Sequence, residues 1–187
     1  MKVLLANGSP HADGYTAKQL GLVEEGLHEG GVETVWWQLG GKPVRGCIDC
    51  QHCEKTHRCA FDDDGANELI DLLVECDGVV LGSPVYFAGG NGAFMAICDR
   101  AFYATCNWES TLKGKVGASV VNLWRGGATA ALDNLDKYFY ASQMVVATSS
   151  YWNLMHNGEH TGFEDEFGEE KMRVLGRNIA ALLAKRG

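Results

Sequence analysis

Residues 2–20, KVLLANGSPHADGYTAKQL, decide the fold of this chain. Residues 2–6 form a short and mostly apolar run, which is typical of a strand buried on both faces of a parallel sheet. Residues 7–15 contain two glycines, a proline and several polar side chains, so we expect a loop there. A helical pattern begins near Thr16. The segment therefore predicts a strand, a loop and a helix, which is the first half of a β-α-β unit.

The rest of the chain continues this alternation of short apolar runs and longer amphipathic stretches. Four further strands are expected at Thr34–Leu39, Gly78–Leu81, Val116–Asn122 and Met144–Thr148. Apolar residues recur at helical spacing in three stretches: Leu20, Val23 and Leu27; Ala66, Leu69, Ile70 and Leu73; and Met172, Leu175, Ile179, Leu182 and Leu183. Five strands alternating with helices predict one doubly wound α/β domain over residues 1–187. Ligands of such sheets bind at the carboxyl ends of the strands, which are followed here by loops after strands one, three and four.

Composition excludes several classes of protein. The 187 residues are 46% apolar and 21% charged, and no apolar stretch approaches the roughly 18 residues that a membrane span needs. The net charge of −8 argues against a nucleic-acid-binding protein, which would carry basic patches. The first apolar run is too short for a signal-peptide core. We therefore expect a cytoplasmic protein that binds neither membranes nor nucleic acids.

The loop after the first strand has the character of a phosphate site. Unpaired N–H groups at the start of a helix carry partial positive charge, and Ser9 and Thr16 add hydroxyl groups beside them. The chain contains neither a G-x-x-x-x-G-K-[ST] motif nor a G-x-G-x-x-G motif, so a nucleoside triphosphate or a dinucleotide is not indicated. One terminal monophosphate, such as that of FMN, fits this loop. The alternative is that Ser9 and Thr16 only cap the helix.

Two further loops place aromatic rings at the same edge of the predicted sheet. They are Gly82-Ser83-Pro84-Val85-Tyr86-Phe87 after strand three and Asn122-Leu123-Trp124-Arg125-Gly126-Gly127 after strand four. Flat side chains and accessible backbone amides suit a planar ring with polar edges. Two of these residues have simpler alternatives, because Pro84 can end a strand and Arg125 can be a surface charge.

Together these motifs resemble the flavodoxin-like NAD(P)H-dependent FMN reductase family. The resemblance rests on Gly8-Ser9-Pro10 with Gly14 and Thr16, on residues 82–87, and on Asp99-Arg100, which would close the following helix. The segment from Cys47 to Asp64, with Ser150-Tyr151-Trp152-Asn153 and Leu175-Gly176-Arg177-Asn178, resembles the cysteine-containing branch, to which the iron–sulfur flavoproteins are related. The resemblance implies a five-stranded parallel sheet of order 2-1-3-4-5 with helices on both faces. It also implies a homodimer or homotetramer.

The resemblance further implies which residues bind FMN. The phosphate would be bound by Ser9, His11, Gly14, Tyr15, Thr16 and Ala17. The ring would be bound by Pro84, Val85, Tyr86, Phe87, Asn122, Trp124, Arg125, Gly126 and Gly127.

The cysteine-rich loop at residues 40–64 is the most unusual feature of the sequence. Cys47, Cys50, Cys53 and Cys59 have the spacing C-x2-C-x2-C-x5-C, which lets four sulfurs turn toward one centre. It resembles the stretch of iron–sulfur flavoproteins that binds a four-iron, four-sulfur cluster. Zinc with four cysteines or with three and a histidine, a redox-active thiol pair, and unligated cysteines all stay open. The other three cysteines, Cys76, Cys98 and Cys106, are expected to be core residues.

These features predict an oxidoreductase that passes electrons from NAD(P)H through FMN to a quinone, a flavin or another small acceptor. The cofactor supplies the chemistry, so no catalytic side chain is named. Arg125 is the side chain expected to stabilise the negative charge of reduced flavin. The alternative is a one-electron transfer module that uses an iron–sulfur cluster and a ferredoxin-like partner.

Overall fold

The computed structural model describes residues 1–106, 108, 111–158, 162 and 164–186. Within these ranges the strands are β1 (Lys2–Asn7), β2 (Glu33–Gln38), β3 (Gly78–Pro84), β4 (Val116–Leu123), β5 (Val145–Val146) and β6 (Leu154–His156). The helices are α1 (Tyr15–Glu29), α2 (His52–Thr56), α3 (Ala66–Glu75), α4 (Gly92–Cys106), α5 (Ala128–Ala141) and α6 (Glu166–Ala184). The strands and helices thus alternate along most of the chain, as the sequence predicts.

The strands form one parallel sheet in the order β2-β1-β3-β4-β5. The order changes direction between β1 and β3, so the loops after these two strands diverge and leave a crevice at the carboxyl edge. The central strands β3 and β4 are buried along their whole length, in agreement with their continuous apolar sequences. The predicted flavodoxin-like order is confirmed.

The fifth position in the sheet differs from the expectation of one strand, because two short strands share it. β5 pairs with the start of β4 at Val116 and Gly117, whereas β6 pairs with its end at residues 121–123. The Ala147 amide still donates to the Gly117 carbonyl of β4 at 2.8 Å, and the chain then leaves the sheet until the Val121 amide donates to the Asn153 carbonyl at 3.0 Å. The sheet therefore has six strands among the described residues, all of them parallel.

Helices cover both faces of the sheet, as predicted. The stripes of α1 and α6 pack with alternate side chains of β1, such as Val3 and Leu5, in one core. Helices α3, α4 and α5 pack on Leu4 and Ala6 in the other core. Helices α1 and α6 approach closely at Gly26, where a side chain would not fit: a Cβ there would lie 2.2 Å from the Arg173 carbonyl oxygen.

Helix α4 is longer than the sequence suggested. Asp99-Arg100 does not close it, since the helix continues to Cys106 over a face of mostly apolar residues. Within the described ranges, none of the helices combines the length and the apolar character that crossing a bilayer requires.

Candidate functional site

Asn7, the last residue of β1, organises the first loop. Its side-chain amide donates to Gln38 Oε1 at 2.7 Å and to the His11 carbonyl at 3.2 Å, and its Oδ1 accepts from the Ser9 amide at 3.0 Å. Gln38 then donates to the Ser9 carbonyl at 2.7 Å. Both amide side chains come from strand ends, so the sheet itself fixes the loop. The sequence reasoning missed Asn7 and Gln38, although each is the last polar residue of a strand.

The amino end of α1 faces this loop. Gly14 is its N-cap residue, and among the described residues no side chain caps this end by a hydrogen bond. Ser9 Oγ accepts from the His11 amide at 3.1 Å, which leaves the hydroxyl proton to donate elsewhere. Thr16 is different, because its hydroxyl donates to Asn122 Oδ1 at 2.6 Å and so connects the first loop to the end of β4.

The loop after β3 makes a tight turn over residues 86–89. Tyr86 and Gly89 exchange two backbone hydrogen bonds of 2.9 and 3.0 Å, and the two central residues, Phe87 and Ala88, have φ of +49° and +61°. L-residues rarely adopt this left-handed conformation. The turn leaves the Phe87 side chain fully exposed. Gly127, with φ of +87°, lies directly against it, since a Cβ there would be 2.7 Å from Ala88 Cα.

These loops enclose a cleft of about 780 Å³ at the carboxyl ends of β1, β3 and β4. The volume lies within the range of about 300–1,000 Å³ usual for small-molecule sites. The lining consists of Ser9, His11, Asp13, Gly14, Tyr15, Thr16, Lys18, Pro84, Val85, Tyr86, Asn122, Leu123, Trp124 and Asn157. The rings of Tyr86 and Trp124 are 47% and 60% exposed, so flat apolar surfaces stand open at its mouth.

Most of the residues predicted to bind a cofactor line this cleft, and five do not. Ala17 belongs to the body of α1, Phe87 projects from the turn, and Arg125 and Gly126 are exposed on the loop after β4. Gly127 packs on the turn instead.

The structure adds Asp13, Lys18, Leu123 and Asn157 to the lining. Asn157 follows β6, and a strand of three residues gives too short a pattern to be recognised in the sequence.

Charge in the cleft is mixed. Lys18 lies one turn into α1 and forms an ion pair of 2.6 Å with Glu169 of α6. The hydrogen bond to Glu169 raises the pKa of the Lys18 ammonium above its usual 10.5, so this group is positively charged at neutral pH. The carboxylate of Asp13 lies in the same lining. A dianionic ligand would therefore be held mainly by amides and hydroxyls, with Lys18 as the nearby cation.

The cysteine-rich loop forms a second pocket, which shares no lining residue with the cleft. The loop contains the five-residue helix α2. Three non-glycine residues of the loop, Asp49, Gln51 and His57, have positive φ. Cys47, Cys50, Cys53 and Cys59 all line this pocket, with Phe61, Arg100 and Tyr103 among their neighbours. Burial raises the pKa of the Cys53 thiol, and the neighbouring cysteines add to this rise.

The donor set of this pocket, four cysteine sulfurs, is of the kind that an iron–sulfur cluster or a zinc ion takes. In the described parts of the chain, no group of three or more histidine, cysteine, aspartate or glutamate side chains is arranged to hold one ion. Four thiols on one pocket wall are the ligands that a cluster takes.

The three remaining cysteines differ in exposure. Cys76 and Cys98 are buried, as predicted, and burial raises the pKa of both thiols. Cys106 does not belong to the core, because it lies exposed at the end of α4.

Arg100 is buried behind the cysteine loop, with 3% of its surface exposed. Its guanidinium forms two hydrogen bonds with the buried carboxylate of Asp64 and donates to Cys59 Sγ at 3.2 Å. Burial alone would raise the pKa of the Asp64 carboxyl, but the hydrogen bonds and the charge of Arg100 lower it below the usual 3.8. One feature of the sequence could have indicated this site, a lone arginine between Ile97 and Ala104 on an apolar helix face.

The chain is similar to known proteins over nearly its whole length. A family model described as NADPH-dependent FMN reductase matches residues 1–159. An iron–sulfur flavoprotein of Methanocaldococcus jannaschii is 31% identical, over 98% of this chain and 97% of its own. Another, of Archaeoglobus fulgidus, is 32% identical over 96% of this chain and 95% of its own.

Among solved structures, the fold matches a flavodoxin, WrbA-like protein from Agrobacterium tumefaciens. The TM-score is 0.68 at 16% identity, over 100% of this chain and 98% of that one. The sheet order, the helices on both faces and the extent of the family match agree with one another. The chain therefore belongs to the NADPH-dependent FMN reductase family, and it is a flavodoxin-like flavin oxidoreductase.

Proposed function

We propose that this protein uses NADPH to reduce FMN held in the cleft and passes the electrons to a small acceptor, such as a quinone or a free flavin. The description of the family supports NADPH as the electron donor. The observation that carries the proposal is the cleft itself, which combines a helix amino end without a side-chain cap with exposed rings at the carboxyl edge of the sheet.

The residues around the start of α1 would hold the phosphate of FMN. The backbone amides of the first helical turn supply donors, and the Ser9 hydroxyl and the His11 side chain stand beside them. Thr16 has a positioning role in this proposal, because its proton is already donated to Asn122. Lys18 adds a positive charge beside the residues that would hold the phosphate.

The turn after β3 and the loop after β4 would hold the isoalloxazine ring. The amides of Val85 and Tyr86 already donate to Asn122 and Gly89, so this turn offers the ring its side chains rather than these two amides. The rings of Tyr86 and Trp124 present flat surfaces for packing. Arg125 is exposed on the loop after β4 and lies outside the lining, so its role toward the reduced ring stays a prediction.

Bound FMN would supply the redox chemistry, a two-electron transfer from NADPH to the acceptor. The protein orients the two rings and excludes water from the contact between them. No acid or base in the lining is required for this role.

Anaerobic bleaching of bound flavin tests this proposal. We expect NADPH to bleach the flavin absorbance of the FMN-loaded protein, and an added quinone to restore it. If neither NADPH nor NADH bleached the flavin, the reductase proposal would be wrong. The variant Trp124→Ala should weaken FMN binding, whereas Trp36→Ala, an exposed tryptophan of β2 outside the cleft, should leave it unchanged.

A second candidate function is one-electron transfer through an iron–sulfur cluster to a ferredoxin-like protein partner. It is favoured by the four cysteines that line one pocket and by the names of the two relatives above. Cys47, Cys50, Cys53 and Cys59 would be the ligands. Such a cluster supplies single electrons, so it would allow a two-electron reductant to serve a one-electron partner.

Anaerobic reconstitution with iron and sulfide tests the cluster. The chain should take up four iron and four sulfide ions and gain broad absorbance near 400 nm. Cys59→Ser should abolish this uptake, and Cys106→Ser should leave it unchanged because that thiol lies outside the pocket. Uptake of iron that did not depend on Cys59 would contradict the assignment.

We also propose that two or four chains assemble around the cleft. The rings of Tyr86, Phe87 and Trp124 form an exposed apolar rim there, which a second subunit would cover. Light scattering of the FMN-loaded protein should give a dimer or a tetramer, and a monomer would contradict the assembly.

A further inference from the structure

The contacts of Arg100 connect the two ends of the cysteine loop to one helix. On the amino-terminal side, Arg100 Nη1 donates to the Arg45 carbonyl at 3.0 Å, two residues before Cys47. On the other side, Arg100 Nε donates to Cys59 Sγ at 3.2 Å and Nη2 donates to the Phe61 carbonyl at 3.1 Å. Both flanks of the segment Cys47–Cys59 therefore meet on a single guanidinium.

Asp64 and Phe61 complete this arrangement. The Asp64 carboxylate is 3% exposed and takes two hydrogen bonds from Arg100, so the buried charge of the arginine is balanced. The guanidinium of Arg45 lies 4.1 Å from the centre of the Phe61 ring, with that of Arg100 at 5.8 Å. A buried and fully hydrogen-bonded pair of this kind fixes geometry more than it adds stability.

We propose that Arg100 is the positioning residue of the cysteine loop: it holds the two ends of the loop together and keeps an N–H donor and a positive charge against the sulfur of Cys59. The closing of the loop by Arg100 concerns the chain alone. The effect of Arg100 on the reduction potential of a group bound by the four cysteines rests on the proposed iron–sulfur function.

The sign of the effect on the potential follows from charge. Reduction adds one negative charge to a cluster, and a nearby cation with a hydrogen bond to a ligand sulfur stabilises the more negative state. Removing Arg100 therefore makes reduction harder and lowers the potential. The carboxylate of Asp64 acts in the opposite direction, but only Arg100 of this pair has a hydrogen bond to a cysteine sulfur in the described part of the chain. Both charges are removed together in the test so that neither is left buried and unpaired.

Three variants separate positioning from folding. Arg100→Met with Asp64→Asn removes the buried pair without leaving one charge unpaired. Arg100→Lys keeps the charge but cannot span both flanks of the loop, because an ammonium presents its donors on one nitrogen. Arg58→Met with Asp71→Asn is the matched control, since it removes an exposed arginine–aspartate pair of 2.5 Å next to Cys59.

The first measurement is hydrogen exchange of the backbone amides of residues 46–58 in the iron-free chain. We expect exchange at least tenfold faster in the double variant, partly faster in Arg100→Lys and unchanged in the control. Amides of β1, β3 and β4 should exchange as in the wild type, which shows that the sheet is folded. Unchanged exchange at residues 46–58 in the double variant would overturn the role of Arg100 in closing the loop.

The second measurement is a redox titration of the protein after anaerobic reconstitution with iron and sulfide. We expect the equilibrium constant for one-electron reduction to fall at least tenfold in the double variant, which is 59 mV or more for one electron. We expect the reduction potential of Arg100→Lys to lie close to that of the wild type, because lysine keeps the positive charge. A merely structural role of Arg100 would not give this result. An unchanged potential in the double variant would overturn the electrostatic role.

A wild-type chain that takes up no iron would contradict the cluster proposal, and hydrogen exchange would still decide whether Arg100 closes the loop.

Discussion

Replacement of Gly127 by alanine tests the connection between the loop after β4 and the turn at residues 86–89. Gly127 has φ of +87°, where an L-residue is disfavoured by about 1–2 kcal/mol. A Cβ at this position would also lie 2.7 Å from Ala88 Cα and 2.8 Å from Ala88 Cβ, closer than van der Waals contact allows. The variant can relieve this strain by moving the turn away from the loop.

Binding of FMN would bring the turn back and restore the strain. The clash with Ala88 is overpacking, which typically costs about 1–3 kcal/mol. A cost of about 1.4 kcal/mol is a factor of ten in an equilibrium constant, so we expect the Kd for FMN to rise by about tenfold. Quenching of flavin fluorescence on titration with the apoprotein measures this Kd. Gly92→Ala is the control, because a Cβ there meets nothing within 4 Å and the position has no positive φ. A Gly127→Ala protein that folds and binds FMN within twofold of the wild type would refute the reasoning.

Three further outcomes are expected. Burial raises the pKa of the Asp136 carboxyl, so its charge destabilises the fold at pH 7 and Asp136→Asn should increase the free energy of unfolding. Urea titrations should show this gain disappear as the pH falls toward 3.8. A gain that did not depend on pH would contradict the prediction. Gly8→Ala places a Cβ 2.2 Å from the buried Phe94 ring and should cost about 1–3 kcal/mol of stability by the same assay, and a neutral result would contradict the close packing. Thr16→Val breaks the bond to Asn122 and should weaken FMN binding in calorimetry, whereas Thr16→Ser should not.

The sequence predicted the sheet well because each central strand is a short run rich in valine and leucine. Four of the five predicted strands match the observed ones closely, and the parallel order follows the family resemblance. The fifth strand was only partly predicted, because β5 has two residues and β6 has three. Runs of that length carry no period, and their pairing with β4 depends on tertiary contacts.

The site was less predictable because it depends on side chains that meet only in the fold. The loops were found from their position after strands, but the roles of Asn7 and Gln38 come from the neighbouring positions of β1 and β2. The sequence indicates Thr16 as a phosphate ligand or a helix cap. The hydrogen-bond acceptor of its hydroxyl in the structure is Asn122, which is more than one hundred residues away in the chain. The link from Arg100 to Asp64 is hidden in the same way, since the two residues are 36 positions apart in the chain.

The division of the fifth position between β5 and β6 bears on how the cleft opens. β5 holds the amino-terminal end of β4 and β6 holds the other end, beside Asn157 in the cleft wall. Separating β6 from β4 breaks the pairing of three residues and leaves β5 in place. Opening of this wall would break the hydrogen bonds between β6 and β4 and expose the buried Met155 side chain, and we expect it to cost less free energy than unfolding of the whole sheet. Passage of ligands and resistance to unfolding can therefore vary independently in this protein.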